Sequence, residues 1–200
     1  MLSMSKNWSD QHQARASKPL AICVFCDVES GADAATQRLA GELGAHIAGR
    51  GHLLVYGAGG SGLMGAVARG VSRAGGSIMG VLPAFLNERE HTAGAPAQTL
   101  MLTKDLTDRK LRMMSSADAF IGLPGGYGTL DGIVEVAARA QHGLHDKPLV
   151  LLDSGGLWEQ FRDLISGIRQ RGFAVGDTSL FALAYTAQEA VEMVEDKAAA

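Results

Sequence analysis

The chain has 200 residues, of which 46% are hydrophobic, and its formal net charge at pH 7 is −3. This length and apolar content suit one globular domain with a packed core. The small negative charge excludes a general electrostatic attraction to nucleic acid or to an anionic membrane. No apolar run approaches the roughly 20 residues that a membrane-spanning helix needs. We therefore expect a cytoplasmic protein with no nucleic-acid partner and no membrane partner.

The N-terminal segment 1–18 is polar and lacks the apolar stretch of a secretory signal, so we expect it to be a flexible tail. The remainder, 19–197, contains no repeat, low-complexity segment or linker that would divide it. We expect these residues to form a single nucleotide-binding domain.

Short apolar runs alternate along the chain with stretches that repeat apolar residues at helical spacing. The predicted strands are Leu20–Cys26, Leu53–Tyr56, Ile78–Leu82, Thr99–Thr103, Ala119–Leu123, Leu149–Leu152 and Ala182–Tyr185. The predicted helices are Ala34–Ala48, Leu63–Ala74, Leu106–Ser115, Leu130–His142, Leu157–Arg171 and Ala187–Lys197. This alternation predicts an α/β fold, a Rossmann-like doubly wound and mostly parallel sheet of about seven strands with helices on both faces.

The two cysteines, Cys23 and Cys26, have the CxxC spacing of redox and metal sites. A redox pair normally opens a helix, which lowers the thiol pKa. Here the pair lies inside a predicted strand, where residues three apart point to opposite faces. The sequence therefore favours two buried small hydrophobic residues. His142 and His145 are three apart near a helix end, but a metal site would need a third ligand. We expect no metal and no cofactor.

Two glycine-rich loops follow predicted strands and precede predicted helices. The first contains Gly57, Gly59 and Gly60, and the second runs from Gly125 to Thr129. Ligands of such sheets bind beyond the carboxyl ends of the strands, and a helix start offers unpaired N–H groups to a phosphate. Neither loop is a Walker loop, and the first lacks the acidic residue that a dinucleotide site places after the next strand. Either loop alone could be a tight turn, but the two together predict a phosphate site.

The segments "CVFC", "LVYG", "GLMGAVA", "GVLP", "DRK", "DAFIGLPGGYGTL" and "LHDKP" resemble the Lonely Guy family of cytokinin-activating phosphoribohydrolases. The resemblance extends from about Cys23 to about Phe173 and includes the family's specific signature, P-G-G-x-G-T-x-x-E. It implies a Rossmann-like fold, a homodimer and an AMP-like ligand. It also implies hydrolysis of the N-glycosidic bond of a nucleoside 5′-monophosphate, which releases the base and ribose 5-phosphate.

Carried over by position, the resemblance implies a role for each matching residue. Arg109 is the implied catalytic arginine. The implied substrate-binding residues are Glu90, Lys110, Gly57, Gly59, Gly60, Gly125, Gly126, Tyr127, Gly128 and Thr129, with the second loop around the 5′-phosphate. Breaking a glycosidic bond builds positive charge on the sugar, which a carboxylate stabilises. Arginine holds its proton, so it fits binding and polarisation better than acid catalysis.

The chain departs from the family at the catalytic carboxylate. The signature's glutamate falls at position 132, where this sequence has Gly132. Asp131 and Glu135 are the candidate replacements, because Glu135 lies one helical turn further on and Asp131 is adjacent. Glu29 is a third candidate. Asp27, Val28 and Glu29 also stand where the family usually has glycine and serines.

Three interpretations stay open. The chain is a purine nucleoside 5′-monophosphate glycosidase with a displaced carboxylate, or it binds a nucleotide or a phosphate-bearing cofactor without hydrolysis, as carriers of this fold do. In the third interpretation the substrate has changed, because Asp27 or Glu29 would repel a phosphate and bind ribose hydroxyls or a base amine instead.

Overall fold

The computed structural model describes residues 18–29, 31–86, 94–173 and 180–199. Seven strands, all parallel, form one sheet in the order β4-β3-β2-β1-β5-β6-β7. The strands are β1 (Ala21–Phe25), β2 (Leu53–Tyr56), β3 (Ser77–Pro83), β4 (Thr99–Thr103), β5 (Ala119–Gly122), β6 (Leu149–Leu152) and β7 (Ala182–Ala184). This is the predicted Rossmann-like α/β architecture.

The described part of the chain has six α-helices, five of which lie between consecutive strands while the last follows β7. They are α1 (Ala34–Gly49), α2 (Gly62–Arg73), α3 (Leu106–Ser115), α4 (Tyr127–Gln141), α5 (Leu157–Gln170) and α6 (Ala187–Ala198). Helix α4 begins three residues before the predicted start, since Gly126 is its N-cap residue and Thr129 lies inside the first turn. Glycine has a low helix propensity, so Gly126 and Gly128 did not indicate a helix in the sequence and the first turn was not predicted.

The core has two halves, one on each face of the sheet. Helices α1, α2 and α6 contribute to a cluster that includes Ile22, Leu43 and Val67. Helices α3, α4 and α5 contribute to a second cluster that includes Phe120, Ile133 and Trp158. Both faces of the sheet are therefore covered, which explains why several strands are apolar along their length.

The cysteines follow the alternation of β1. Cys23 is buried in one half of the core and Cys26 in the other, and both are free thiols. Burial raises the pKa of each thiol, so neither is a ready thiolate. The prediction that they are buried small residues is confirmed.

Strand order reverses between β1 and β5. The two strands pair in parallel, with Ile22 opposite Ala119 and Phe25 opposite Gly122. The chain then runs from β1 into α1 on one face and from β5 into α4 on the other. Their carboxyl ends therefore open the crevice in which sheets of this type bind ligands. None of the helices in the described ranges is long and apolar enough to cross a membrane.

Candidate active site

A cavity lies at the carboxyl ends of β1 and β5. Its walls come from the end of β1, the loop after β2, and helices α3 and α4. The lining residues are Val24, Phe25, Cys26, Asp27, Val28, Gly57, Met64, Leu106, Arg109, Lys110, Met113, Gly128, Thr129, Asp131 and Gly132. Several residues that the sequence analysis singled out therefore line one cavity, although they come from separate segments of the chain.

The start of α4 faces this cavity. The first intrahelical bond of α4 is donated by the amide of Leu130 to the carbonyl of Gly126. The amides of Tyr127, Gly128 and Thr129 precede that bond, so the helix itself cannot satisfy them. The Thr129 side chain is buried, and its Oγ1 has no hydrogen-bond partner in the described part of the protein. A buried hydroxyl without a partner is costly, which marks this helix start as a place for a polar ligand atom.

Asp27 contacts the second glycine-rich loop, Gly125 to Thr129, from the opposite side of the crevice. Its Oδ2 accepts a hydrogen bond from the amide of Gly126 at 2.9 Å. Its Oδ1 accepts one from the amide of Glu29 at 3.1 Å. Asp27 also lines the adjoining cavity, which includes Gly125, Gly126 and Thr36. One amide of the predicted phosphate cradle is therefore bonded to a carboxylate of the protein.

Arg109 is held at the carboxyl ends of two strands. Its Nε donates to the carbonyl of Val81 at 3.1 Å, and its Nη2 donates to the carbonyl of Gly57 at 2.7 Å. A Cβ on residue 57 would lie 2.0 Å from Nη2, so only a glycine leaves room for this contact. The guanidinium is thereby fixed on the cavity wall, where it can polarise or orient a bound ligand.

The two candidate carboxylates on α4 differ in position. Asp131 lines the cavity, is well exposed, and accepts hydrogen bonds from Lys110 Nζ to both of its oxygens at 2.8 Å. Glu135 bonds Arg139 at 2.7 Å and lies 3.6 Å from Lys110. The hydrogen bond from Arg139 holds the pKa of Glu135 below its usual value. Of the two, Asp131 is the one placed on the cavity wall.

The space at position 132 is filled by an aromatic ring. Gly132 is buried in α4, and a Cβ added there would lie 2.5 Å and 2.6 Å from two ring carbons of Phe25. The ring of Phe25 also lies near that of Phe120, with centroids 6.2 Å apart. A side chain at position 132 therefore requires the Phe25 ring to move.

The first glycine loop packs against the protein's own chain. A Cβ on Gly59 would meet Met64 and Val28, and Gly60 accepts a hydrogen bond from Arg69 Nη1 through its carbonyl at 2.9 Å. Ala58, within this loop, adopts a φ of 66°. Gly57 lines the cavity, whereas Gly59 lies close to Met64 and Val28 and Gly60 is bonded to Arg69 of α2. Their role in substrate binding stays a prediction.

The remaining predicted residues are placed as follows. Tyr127 is 93% exposed at the start of α4, and Gly125 and Gly126 line the adjoining cavity. Glu90 lies outside the described residues. His145 Nε2 lies 3.1 Å from the carbonyl of Val136. Within the described ranges, no three ligating side chains cluster as a metal site would require.

Sequence reasoning missed two features, the Asp27–Gly126 bond and the Phe25 ring over Gly132. The sequence showed that Asp27 stands where glycine or serine is usual, but it did not indicate which group Asp27 contacts. Nothing in the sequence indicated the second, because it depends on a side-chain rotamer.

A parallel doubly wound sheet, with a helix start and a fixed arginine at its switch point, defines a Rossmann-like α/β protein. The sequence model of the family described as "possible lysine decarboxylase" matches residues 64–194. The chain belongs to this family, which includes the Lonely Guy phosphoribohydrolases.

Curated relatives cover most of the chain. It is 40% identical over 183 residues to the cytokinin riboside 5′-monophosphate phosphoribohydrolase LOG of Oryza sativa subsp. japonica, a match that covers 91% of this chain and 75% of the relative. It is 39% identical over 184 residues to the corresponding LOG3 of Arabidopsis thaliana, with 91% and 85% covered. Among solved structures, the molybdenum cofactor carrier protein of Chlamydomonas reinhardtii superimposes with a TM-score of 0.68 at 23% identity, over 92% of this chain and 100% of that one. This last likeness shows the fold alone.

Proposed function

We propose that this chain hydrolyses the N-glycosidic bond of a purine nucleoside 5′-monophosphate, of the AMP or cytokinin type, to the free base and ribose 5-phosphate. Family membership and the names of its relatives support the reaction class. The observation that carries the proposal is the unpartnered, buried Thr129 hydroxyl at the start of α4, in the same cavity as Arg109. A phosphate accepts hydrogen bonds from a helix start, and Thr129 adds a donor beside it.

The site supports a division of roles. The backbone amides of residues 126–129 bind the phosphate, and the fixed guanidinium of Arg109 orients the sugar and polarises the departing base. As the bond breaks, positive charge builds on the ribose ring. Asp131 is the carboxylate that we assign to stabilise this charge and to orient the attacking water, since it lines the cavity and Glu135 does not appear among the lining residues. Lys110 holds Asp131 through both oxygens.

Glu135 then has a supporting role, in which it bonds Arg139 and lies near Lys110. The predicted contacts of Glu90, Gly59 and Gly60 with the nucleotide remain part of the proposal. Gly57 contributes by leaving room for Arg109.

Binding without hydrolysis is the second candidate function. It is favoured by one observation, that the position of the family's glutamate is Gly132 and is covered by the ring of Phe25. Loss of a carboxylate that acts in the transition state costs several kcal/mol of catalysis but little ground-state binding. Such a protein would keep its nucleotide, or another phosphate-bearing ligand, intact.

The test is to incubate the protein with AMP and with an N6-alkylated AMP and to follow free base and ribose 5-phosphate by chromatography. We expect both products in equal amounts, and a loss of roughly 100-fold or more in kcat/KM on Arg109→Lys. Asp131→Asn should lower kcat strongly, whereas Glu135→Gln should lower it less. Calorimetric binding of AMP without any base release would reject hydrolysis and favour the second candidate.

A cytoplasmic location and a homodimer complete the proposal. Two free cysteines fit a reducing compartment. Exposed apolar side chains on α3 and α4, Leu106, Leu111 and Val134, fit burial between two copies. Sedimentation equilibrium measures the assembly state, and a monomer at micromolar concentration would contradict the dimer.

A further inference from the structure

Two acidic residues line the cavity, Asp27 and Asp131. The side chain of Asp27 accepts a hydrogen bond from the backbone amide of Gly126, in the second glycine-rich loop. Asp27 lies two residues after the end of β1, and the pairing of β1 with β5 brings it close to Gly126. The second carboxylate oxygen is fixed by the amide of Glu29. Two hydrogen bonds from backbone amides thus hold the carboxylate on the loop in the free protein.

The same loop is the anion-binding element of the site. Gly126 is the N-cap residue of α4, and its amide adjoins those of Tyr127, Gly128 and Thr129. A carboxylate and a phosphate bind such amides by the same chemistry, as acceptors at the positive end of the helix dipole. The two groups therefore compete for one region, and their like charges repel when both are present.

Both cationic side chains that line the cavity, Lys110 and Arg109, form hydrogen bonds with groups other than Asp27. Lys110 Nζ is bonded to both oxygens of Asp131, and two donors of Arg109 are bonded to the carbonyls of Val81 and Gly57. The unpartnered Thr129 hydroxyl shows independently that the loop has kept a group for a ligand atom. The loop is thus still shaped for a ligand, with one of its amides bonded to a protein carboxylate.

We propose that Asp27 is a specificity-determining residue of this site, which competes with the 5′-phosphate of the ligand for the amide of Gly126. The inference rests on the proposed function for the identity of the ligand. A 5′-monophosphate binds only after the carboxylate has left Gly126, and it binds beside a like charge. An unphosphorylated nucleoside meets neither obstacle. The chain consequently discriminates less strongly in favour of phosphorylated ligands than a site with glycine or serine at this position.

The test compares Asp27→Asn and Asp27→Ser with the unaltered protein. The asparagine variant removes the negative charge but keeps the size and one acceptor oxygen. The serine side chain is too short to contact the amide of Gly126. Calorimetry with AMP, adenosine and inorganic phosphate measures affinity, and base release from AMP measures KM and kcat. We expect AMP and inorganic phosphate to bind at least about tenfold more tightly in both variants, with adenosine binding unchanged. The KM for AMP should fall with them, and kcat should stay within about threefold.

Glu42→Gln is the matched control, because it removes one negative charge from an exposed position on α1. It should leave all three affinities unchanged. Unaltered AMP and phosphate affinity in both Asp27 variants would overturn the inference. A collapse of kcat at constant KM would also overturn it, because Asp27 would then act in the chemistry. If the unaltered protein binds AMP but releases no base, the proposed hydrolysis fails while the binding comparison still tests Asp27.

Discussion

The two glycine-rich loops look alike in the sequence and differ in what surrounds them. Each follows a parallel strand and opens a helix, α2 in one case and α4 in the other. At the start of α2, polar groups of the loop and helix bond to the segment after β1. Ser61 Oγ donates to the carbonyl of Val28, and the amide of Met64 donates to the carbonyl of Asp27. At α4 the Thr129 hydroxyl has no partner in the described protein, and Gly128 faces open space.

A glycine-rich loop in a sequence indicates that another group lies close to the backbone. It does not indicate whether that group belongs to the protein or to a ligand. At α2 the approaching group is the loop after β1. A Cβ on Gly62 would lie 2.5 Å from the carbonyl oxygens of Val28 and Glu29. At α4 the approaching group is a carboxylate on one side and a cavity on the other. The first loop thus packs closely against the protein's own chain, and the second carries most of the ligand chemistry of the proposal.

The largest effect that would sharpen this comparison is on stability. Gly62 has a φ of 53°, and its missing Cβ is surrounded by backbone atoms that cannot move independently. We expect Gly62→Ala to lower the free energy of unfolding by about 3 kcal/mol or more, from backbone strain and overpacking together. Urea denaturation measures the change. A loss below about 1 kcal/mol would show that the first loop is not tightly packed.

The next effect concerns the chemistry beside the second loop. Gly132→Glu restores the family's carboxylate but forces the Phe25 ring aside, so we expect the free energy of unfolding to fall by about 1–3 kcal/mol. Base release from AMP should rise by at least about 100-fold if the missing acid limits the rate.

Gly132→Gln is the control for the Gly132→Glu experiment, because it has the same size without the charge. It should destabilise the protein to a similar extent and leave the rate unchanged. If AMP binds to the glutamate variant and hydrolysis does not increase, the absent carboxylate is not the main defect.

A smaller effect is expected within the second loop itself. A Cβ on Gly128 meets no protein atom within 4 Å, so Gly128→Ala should fold normally and gain a few tenths to 1 kcal/mol of stability in the helix. Because Gly128 lines the cavity, the methyl group should weaken AMP binding by about tenfold, through the loss of a charge-assisted hydrogen bond. Calorimetry checks the affinity. Unchanged AMP binding would show that the phosphate does not bind at the start of α4.

The smallest effect tests a contact of the first loop. Arg69 Nη1 donates to the carbonyl of Gly60 at 2.9 Å. We expect Arg69→Met to cost about 1 kcal/mol of stability and to leave AMP affinity unaltered. Arg73→Met, at an exposed position on the same helix, serves as the matched control. Weaker AMP binding in the Arg69 variant alone would give the first loop a direct part in the site.

The fold was predictable because its signals are local. Apolar runs located all seven strands to within about two residues at each end, and the alternation with helical stretches fixed the class. The start of α4 was wrong by three residues, because Gly126 and Gly128 carry a poor helix propensity that the sheet and the switch point override.

The site was predictable only in part. Arg109, Gly128 and Thr129 line the same cavity. The family resemblance had assigned these residues to one site. The bond between Asp27 and Gly126 joins residues 99 positions apart, and it exists because β1 and β5 are neighbours in the sheet. Strand order is a long-range property that periodicity does not contain, so the occupied amide could not be read from the sequence.

The adjacency of β1 and β5 also has a consequence for the order of events during synthesis. Ile22 pairs with Ala119, so almost 100 residues must be closed into a loop before these strands meet. Strands β1 to β4 can assemble as the ribosome releases them, yet the crevice does not exist until β5 has docked. Such non-local pairing is slow. A nucleotide that binds only the completed crevice would stabilise the folded state and raise its melting temperature.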